Sequence, residues 1–120
     1  MTKQIRKFFA MVQVELEDLV EDVNHSIQLA GYKHKMDTIS ERVYKQNLVV
    51  YHSELAAFDT FGKIVNVAKR KKFNSMVEVN NYLKDQFRQA IKSSGYVERA
   101  MYFMDRKFKK IGMYMEQMDD

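Results

Sequence analysis

The stretch ELEDLVEDVNH, residues 15 to 25, sets Glu15, Asp18, Asp22 and His25 at spacings that, on a helix, could supply carboxylate and imidazole ligands to a pair of metal ions. Such a site needs its ligands aimed into a bundle and a matching Glu-x-x-His pair on another helix. Counted at about 100° per residue, Asp18 and His25 lie about 140° and 160° from the centre of the Leu16–Leu19–Val23 face, and no Glu-x-x-His pair occurs elsewhere in the chain. The stretch reads as a solvated acidic face, and no metal or cofactor is expected.

The remaining chemistry is sparse. His25, His34 and His52 fall on an outward face, in a loop and on another outward face, so no two are placed to share a proton or a ligand. There is no cysteine, no glycine-rich phosphate loop and no Ser/His pairing at an interpretable spacing. No enzyme and no small-molecule substrate is inferred. Glu54 is the residue that departs from pattern. It falls between two apolar stripes, one heptad after Asn47, where Val or Leu is expected. Both are read as buried polar residues, with Glu54 fixing register by bonding a tyrosine hydroxyl or a cation from another helix, since an unpaired buried carboxylate is costly.

Two groups of cations could hold phosphate. AKRKKF packs Lys69, Arg70, Lys71 and Lys72 together, and the last turn of a helix accounts for two of the four, because cations interact favourably with the negative end of the helix dipole, while four in a row spread around the helix and no single face collects them. The second group, Arg99, Tyr102, Arg106, Lys109 and Lys110, collects on one side of the last helix and interleaves an aromatic, which is the better nucleic-acid footprint.

The elements that would position these residues are helices throughout. There is no proline, and glycine occurs only at 31, 62, 95 and 112. Ile5, Phe9, Val12, Leu16, Leu19, Val23 and Ile27 step by four or three, a single stripe that predicts a helix from about Thr2 to Leu29, with Gly31 as its left-handed terminator. Thr38-Ile-Ser-Glu41 reads as a capping box for a helix starting near Ile39. That helix carries two stripes, one of Ile39, Val43, Val50, Ala57, Phe61, Val65 and Ala68, the other of Tyr44, Leu48, Tyr51, Leu55 and Phe58. It therefore touches neighbours on two sides, and the unbroken phase predicts continuity through Gly62. Ser75-Met-Val-Glu78 opens a third helix, with Val79, Leu83, Phe87 and Ala90 inward, that stops at Ser93-Ser94-Gly95. Val97, Met101, Met104, Phe108, Ile111, Met115 and Met118 form a coiled-coil-like seam on a fourth. The fold class is all-α: an antiparallel up-down-up-down four-helix bundle, two long helices followed by two shorter ones, as one domain over residues 1–120.

Charge and hydropathy narrow the function classes. Residues 1–60 carry seven Lys and Arg against nine Asp and Glu, and residues 61–120 carry thirteen against seven, a net −2 followed by +6. Such asymmetry bears on partners, not on fold. No uncharged run approaches the roughly 18 residues of a membrane span, and the basic-then-apolar N-terminus runs at once into Glu15, Glu17 and Asp18, so neither membrane nor export is expected and a cytoplasmic location is. The expectation is a non-enzymatic protein–protein interaction or assembly module that self-associates. Because a short third helix cannot cover two long ones, Val20, Val23, Ile27, Ile39, Val43, Tyr44 and Leu48 are expected to form the interface of a homodimer. The alternative reading is a nucleic-acid-associated protein that binds phosphate backbone through its basic second half.

Overall fold

The computed structural model describes residues 2–117, which form four α-helices and, among the described residues, no strand. These are α1 (Lys3–Lys35), α2 (Glu41–Ala68), α3 (Met76–Ser94) and α4 (Arg99–Gln117). Each runs antiparallel to the one before. His34 near the end of α1 stacks on Tyr44 near the start of α2, Phe61 of α2 packs on Phe87 of α3, and Phe8 near the start of α1 lies against Phe108 late in α4. The up-down-up-down bundle is therefore the fold, with lengths of 33, 28, 19 and 19 residues. No helix among the described residues is long and apolar enough to cross a membrane.

The core follows from the stripes. Phe8, Phe58, Phe61, Phe87 and Phe108 are all buried, and Phe61 sits at their centre, its ring 4.8 Å from that of Phe87 and 5.8 Å, edge-on, from that of Phe108. Removing one such side chain from water is worth about 1.5–3 kcal/mol, before any gain from ring geometry. Layers of Val12, Val65, Val79, Leu83, Met104 and Ile111 close around them. On α3 the inward set ends at Ile91, and Ala90 is only half-buried. On α4 the seam holds at Met104, Phe108 and Ile111 and loosens at Met101 and Met115. Val97 precedes the helix, and Met118 lies outside the described residues.

Helix ends show where short-range signals misled. Gly31 lies inside α1, not at its end, and α1 continues to Lys35. The left-handed residue is Asp37, at φ 56°. The Asp37 N–H donates to the His34 carbonyl at 3.1 Å and the Thr38 N–H to the Lys33 carbonyl at 2.8 Å, a Schellman closure. Asp tolerates this conformation better than most residues because its short polar side chain can hydrogen-bond locally. Similarly, the cap of α2 is Ser40, whose Oγ accepts from the Val43 N–H at 3.1 Å, rather than Thr38 with Glu41. The cap of α3 is Ser75 as expected, with Glu78 accepting from the Asn74 N–H, and Gly95 ends that helix at φ 70°. α2 runs through Gly62 unbroken and ends at Ala68, so the run Lys69–Lys72 is its C-cap and the turn beyond, not its last turn.

Two glycines make opposite predictions. Gly95 holds a left-handed conformation, whereas a Cβ on Gly112 inside α4 would meet nothing within 4 Å. Gly95→Ala is expected to destabilise the protein by about 1 kcal/mol and Gly112→Ala to stabilise it by about 0.5–1 kcal/mol. Urea denaturation of the two variants checks both signs.

Candidate interaction surface

Helices α3 and α4 stop short of the end of the α1–α2 pair. The loop between them is pinned to α2 where the Val97 N–H donates to Ser53 Oγ at 3.0 Å and the Tyr96 and Thr60 hydroxyls meet at 3.1 Å. Past Ser53, α1 and α2 continue as a bare helical hairpin for about ten residues each, roughly 15 Å. Along α2 one stripe crosses that boundary. Ala57, Phe61, Val65 and Ala68 are fully buried, Val50 is half-buried, and Val43 is 41% exposed. The sequence is no less apolar there; the cover has ended.

The expected interface residues are not equivalent in the structure. Val23 is buried in the core and cannot present itself to a partner. Val20, Ile27, Ile39, Tyr44 and Leu48 are half-buried, and Val43 is exposed. Tyr44 is held by the His34 ring, 4.4 Å away and nearly parallel, so His34 belongs to the last turn of α1 rather than to a loop. Besides Val49 on α2, three exposed apolar residues at the end of α1 escaped the sequence reading: Leu29, Tyr32 and Met36. Their spacing of three and four was the available signal, but it runs beside the main stripe and past the end assigned to α1.

Of the two residues read as buried polar, Glu54 is buried and Asn47 is only half-buried, because at its level neither α3 nor α4 is present to cover it. Glu54 accepts a hydrogen bond from Arg99 Nε at the start of α4. The Arg99 guanidinium also lies over the rings of Tyr51, at 5.7 Å, and Phe103, at 6.0 Å. A carboxylate on one side and two ring faces on the other leave the guanidinium little to gain from an outside ligand.

A second ion cluster contradicts the reading of residues 15 to 25 as solvated throughout. Glu15 is buried, and its Oε1 accepts from Lys107 Nζ at 2.8 Å and from Lys110 Nζ at 3.0 Å. Burial alone would push the Glu15 carboxyl up, but the two lysine hydrogen bonds and their charges outweigh it and hold it below the usual carboxylate range. The same contact holds Lys110 above its ordinary range. Among the described residues no group of three His, Asp or Glu side chains could hold a metal ion.

The basic face of α4 is thus largely committed. Arg99 serves Glu54 and Lys110 serves Glu15, while Arg106 lies 5.9 Å from the ring of Tyr102, itself 59% exposed. Only Lys109 of that group is exposed without such a contact.

Both ion clusters are testable. Arg99→Met leaves a buried carboxylate unpartnered and is expected to cost about 1–3 kcal/mol in urea denaturation, with Glu54→Gln recovering part of that loss in the double variant. Glu15 has its folded pKa depressed, so its contribution is complete above the unfolded value near 4.5 and is lost as pH falls through the lower folded value. Lys110, with its folded pKa raised, contributes below the unfolded value near 10.5 and loses that contribution as pH rises through the higher folded one. Glu15→Gln should flatten the acid limb of the stability profile below about pH 4.5 relative to wild type. No protein-family model, curated protein or solved structure matches the chain.

Proposed function

We propose that the protein is a non-enzymatic assembly module that forms a two-fold homodimer through its projecting α1–α2 hairpin. The observation that carries the reading is the α2 stripe that passes from fully buried at Ala57 to 41% exposed at Val43 without changing its chemistry. Leu29 on α1 lies on the same side of the hairpin, counting about 100° per residue from Glu15 and Leu19, the residues that face α4 lower down. A second copy's hairpin supplies two helices at the level where α3 and α4 are missing. The same patch then meets itself about a two-fold axis and builds a second small four-helix bundle. The half-buried Ile27, Ile39, Tyr44 and Leu48 form the margin of this contact.

Size-exclusion chromatography with light scattering tests it. The wild type is expected to run as a dimer at tens of micromolar. Leu29→Glu combined with Val43→Glu is expected to run as a folded monomer, since both positions already reach solvent in the single chain and only like charges brought together at the contact oppose docking. A monomeric wild type, or a double variant that remains dimeric, refutes the hairpin interface.

A further inference from the structure

The end of the bundle opposite the hairpin gathers seven cations from two chain segments, none of them in an ion pair among the described residues. Lys3, Arg6 and Lys7 occupy the first two turns of α1, and Lys69, Arg70, Lys71 and Lys72 form the turn after α2. Thr2 and Ile5 share one small cleft with Lys71, Lys72 and Phe73, so the two segments are neighbours in space although more than sixty residues apart in sequence. All seven side chains are exposed. Neither residues 2–9 nor residues 68–75 include an aspartate or glutamate. None of the seven forms an ion pair among the described residues, whereas on α4 Arg99, Lys107 and Lys110 do. Lys71 alone has a further contact, 5.5 Å above the Tyr82 ring.

Stability accounts for only part of this placement: Lys69 and Arg70 follow the C-terminal end of α2, where the helix dipole favours cations, whereas Lys3, Arg6 and Lys7 stand at the opposite pole of α1. The first turn of a helix favours anionic side chains; α2 and α3 obey with Glu41 and Glu78, and α4, which also lacks an acid there, begins with Arg99 paired to Glu54. The first turn of α1 has no acidic residue and begins with Lys3. Its cations oppose the dipole of their own helix and repel the four of the neighbouring turn. A dense polyanion at this end reverses both effects.

We infer that this basic end is a phosphate-backbone surface for duplex nucleic acid, read without regard to sequence. The choice of duplex rests on which side chains are present. Single-strand sites stack bases on exposed aromatic rings, and the one aromatic of the turn, Phe73, is half-buried against Tyr82, with ring centroids 5.5 Å apart. Duplex DNA presents one phosphate charge per about 1.7 Å of axis and asks only for cations. No large apolar side chain of either segment is exposed for insertion into a lipid surface. The surface is distinct from the face of α4, whose cations are mostly spent within the molecule.

The test is fluorescence anisotropy of a labelled random-sequence DNA duplex of about 20 base pairs, titrated with the full chain at about 50 and about 200 mM salt. With about five phosphate contacts, affinity is expected to fall about 10²- to 10³-fold over that range. Replacing Lys3, Lys7, Lys69 and Lys72 by Gln should weaken binding at least about tenfold at the lower salt and reduce the log–log salt slope by about 3.6, at about 0.9 for each of the four lost contacts. Arg106→Gln with Lys109→Gln should change affinity by no more than about twofold. Circular dichroism checks folding. If the quadruple variant fails to fold, the pairs Lys3→Gln/Lys7→Gln and Lys69→Gln/Lys72→Gln are titrated separately, and each should lower the slope by about half as much. The inference is overturned by no binding at the lower salt, by equal losses from the α4 pair, or by tighter binding to a single strand or to phosphatidylserine vesicles than to the duplex.

Discussion

A 19-residue helix rises about 28 Å and a 33-residue one about 50 Å, so α3 and α4 cannot shield the whole face that α1 and α2 present to them. Most other features of the molecule follow from where that shielding is placed. The Phe8–Phe61–Phe87–Phe108 cluster requires α3 and α4 to sit beside the N-terminal half of α1 and the C-terminal half of α2. The loop anchored on Ser53 and Thr60 then fixes the level at which cover ends. Everything beyond it is a hairpin in which, of the residues from Asn24 to Lys35 and from Glu41 to His52, Ala30 alone is buried. Two helices touching only each other bury little apolar surface, and this is the physical ground on which a partner for the hairpin is proposed.

Helix α4 is held in register by charge as well as by its seam. Its cations at positions 99, 107 and 110 reach carboxylates on both long helices, Glu54 on α2 and Glu15 on α1. The two carboxylates are the buried charged residues of the molecule among those described, and each is served by cations that remain partly in water. That arrangement avoids the full desolvation of both partners, the main cost of a buried ion pair. It also reinterprets the charge asymmetry of the chain. Part of the excess of cations in the second half answers acids of the first half within the same fold, while Lys69 to Lys72, which form no ion pair among the described residues, stand at the basic end.

The sequence carried the helices well because stripes at helical spacing report directly on burial. Ser75 and Gly95, the two α2 stripes and the polar interruption at Glu54 all sit where local rules put them. The misreadings share a cause. Glu15 lies at the margin of the α1 stripe, and its partners are 92 and 95 residues away, beyond anything local periodicity encodes. Gly31 resembles a terminator on its own conformational freedom alone. In the fold it is an interior helical residue where a Cβ would come within 3.9 Å of the Tyr44 hydroxyl, and the turn that ends α1 is decided by hydrogen bonds at Asp37 and Thr38. Asn47 was assigned a core environment by its place in the heptad, and the heptad does not say how long the neighbouring helix is.

The two proposed surfaces lie at opposite ends of a body 53 Å long, and this separation gives them independent physics. The hairpin contact is apolar and gains from water exclusion, so salt leaves it nearly unchanged. The basic end depends on counterion release and weakens steeply with salt. A two-fold axis through the hairpins directs the two basic ends away from each other, roughly 90 Å apart if the long axes are near collinear and overlap by the roughly 15 Å of the hairpins. Like-charged ends so far apart exceed the Debye length of about 8 Å at physiological ionic strength many times over. The proposed dimer would therefore bring no repulsion between them, and each subunit would keep its cationic end open to a separate duplex or to a separate stretch of one.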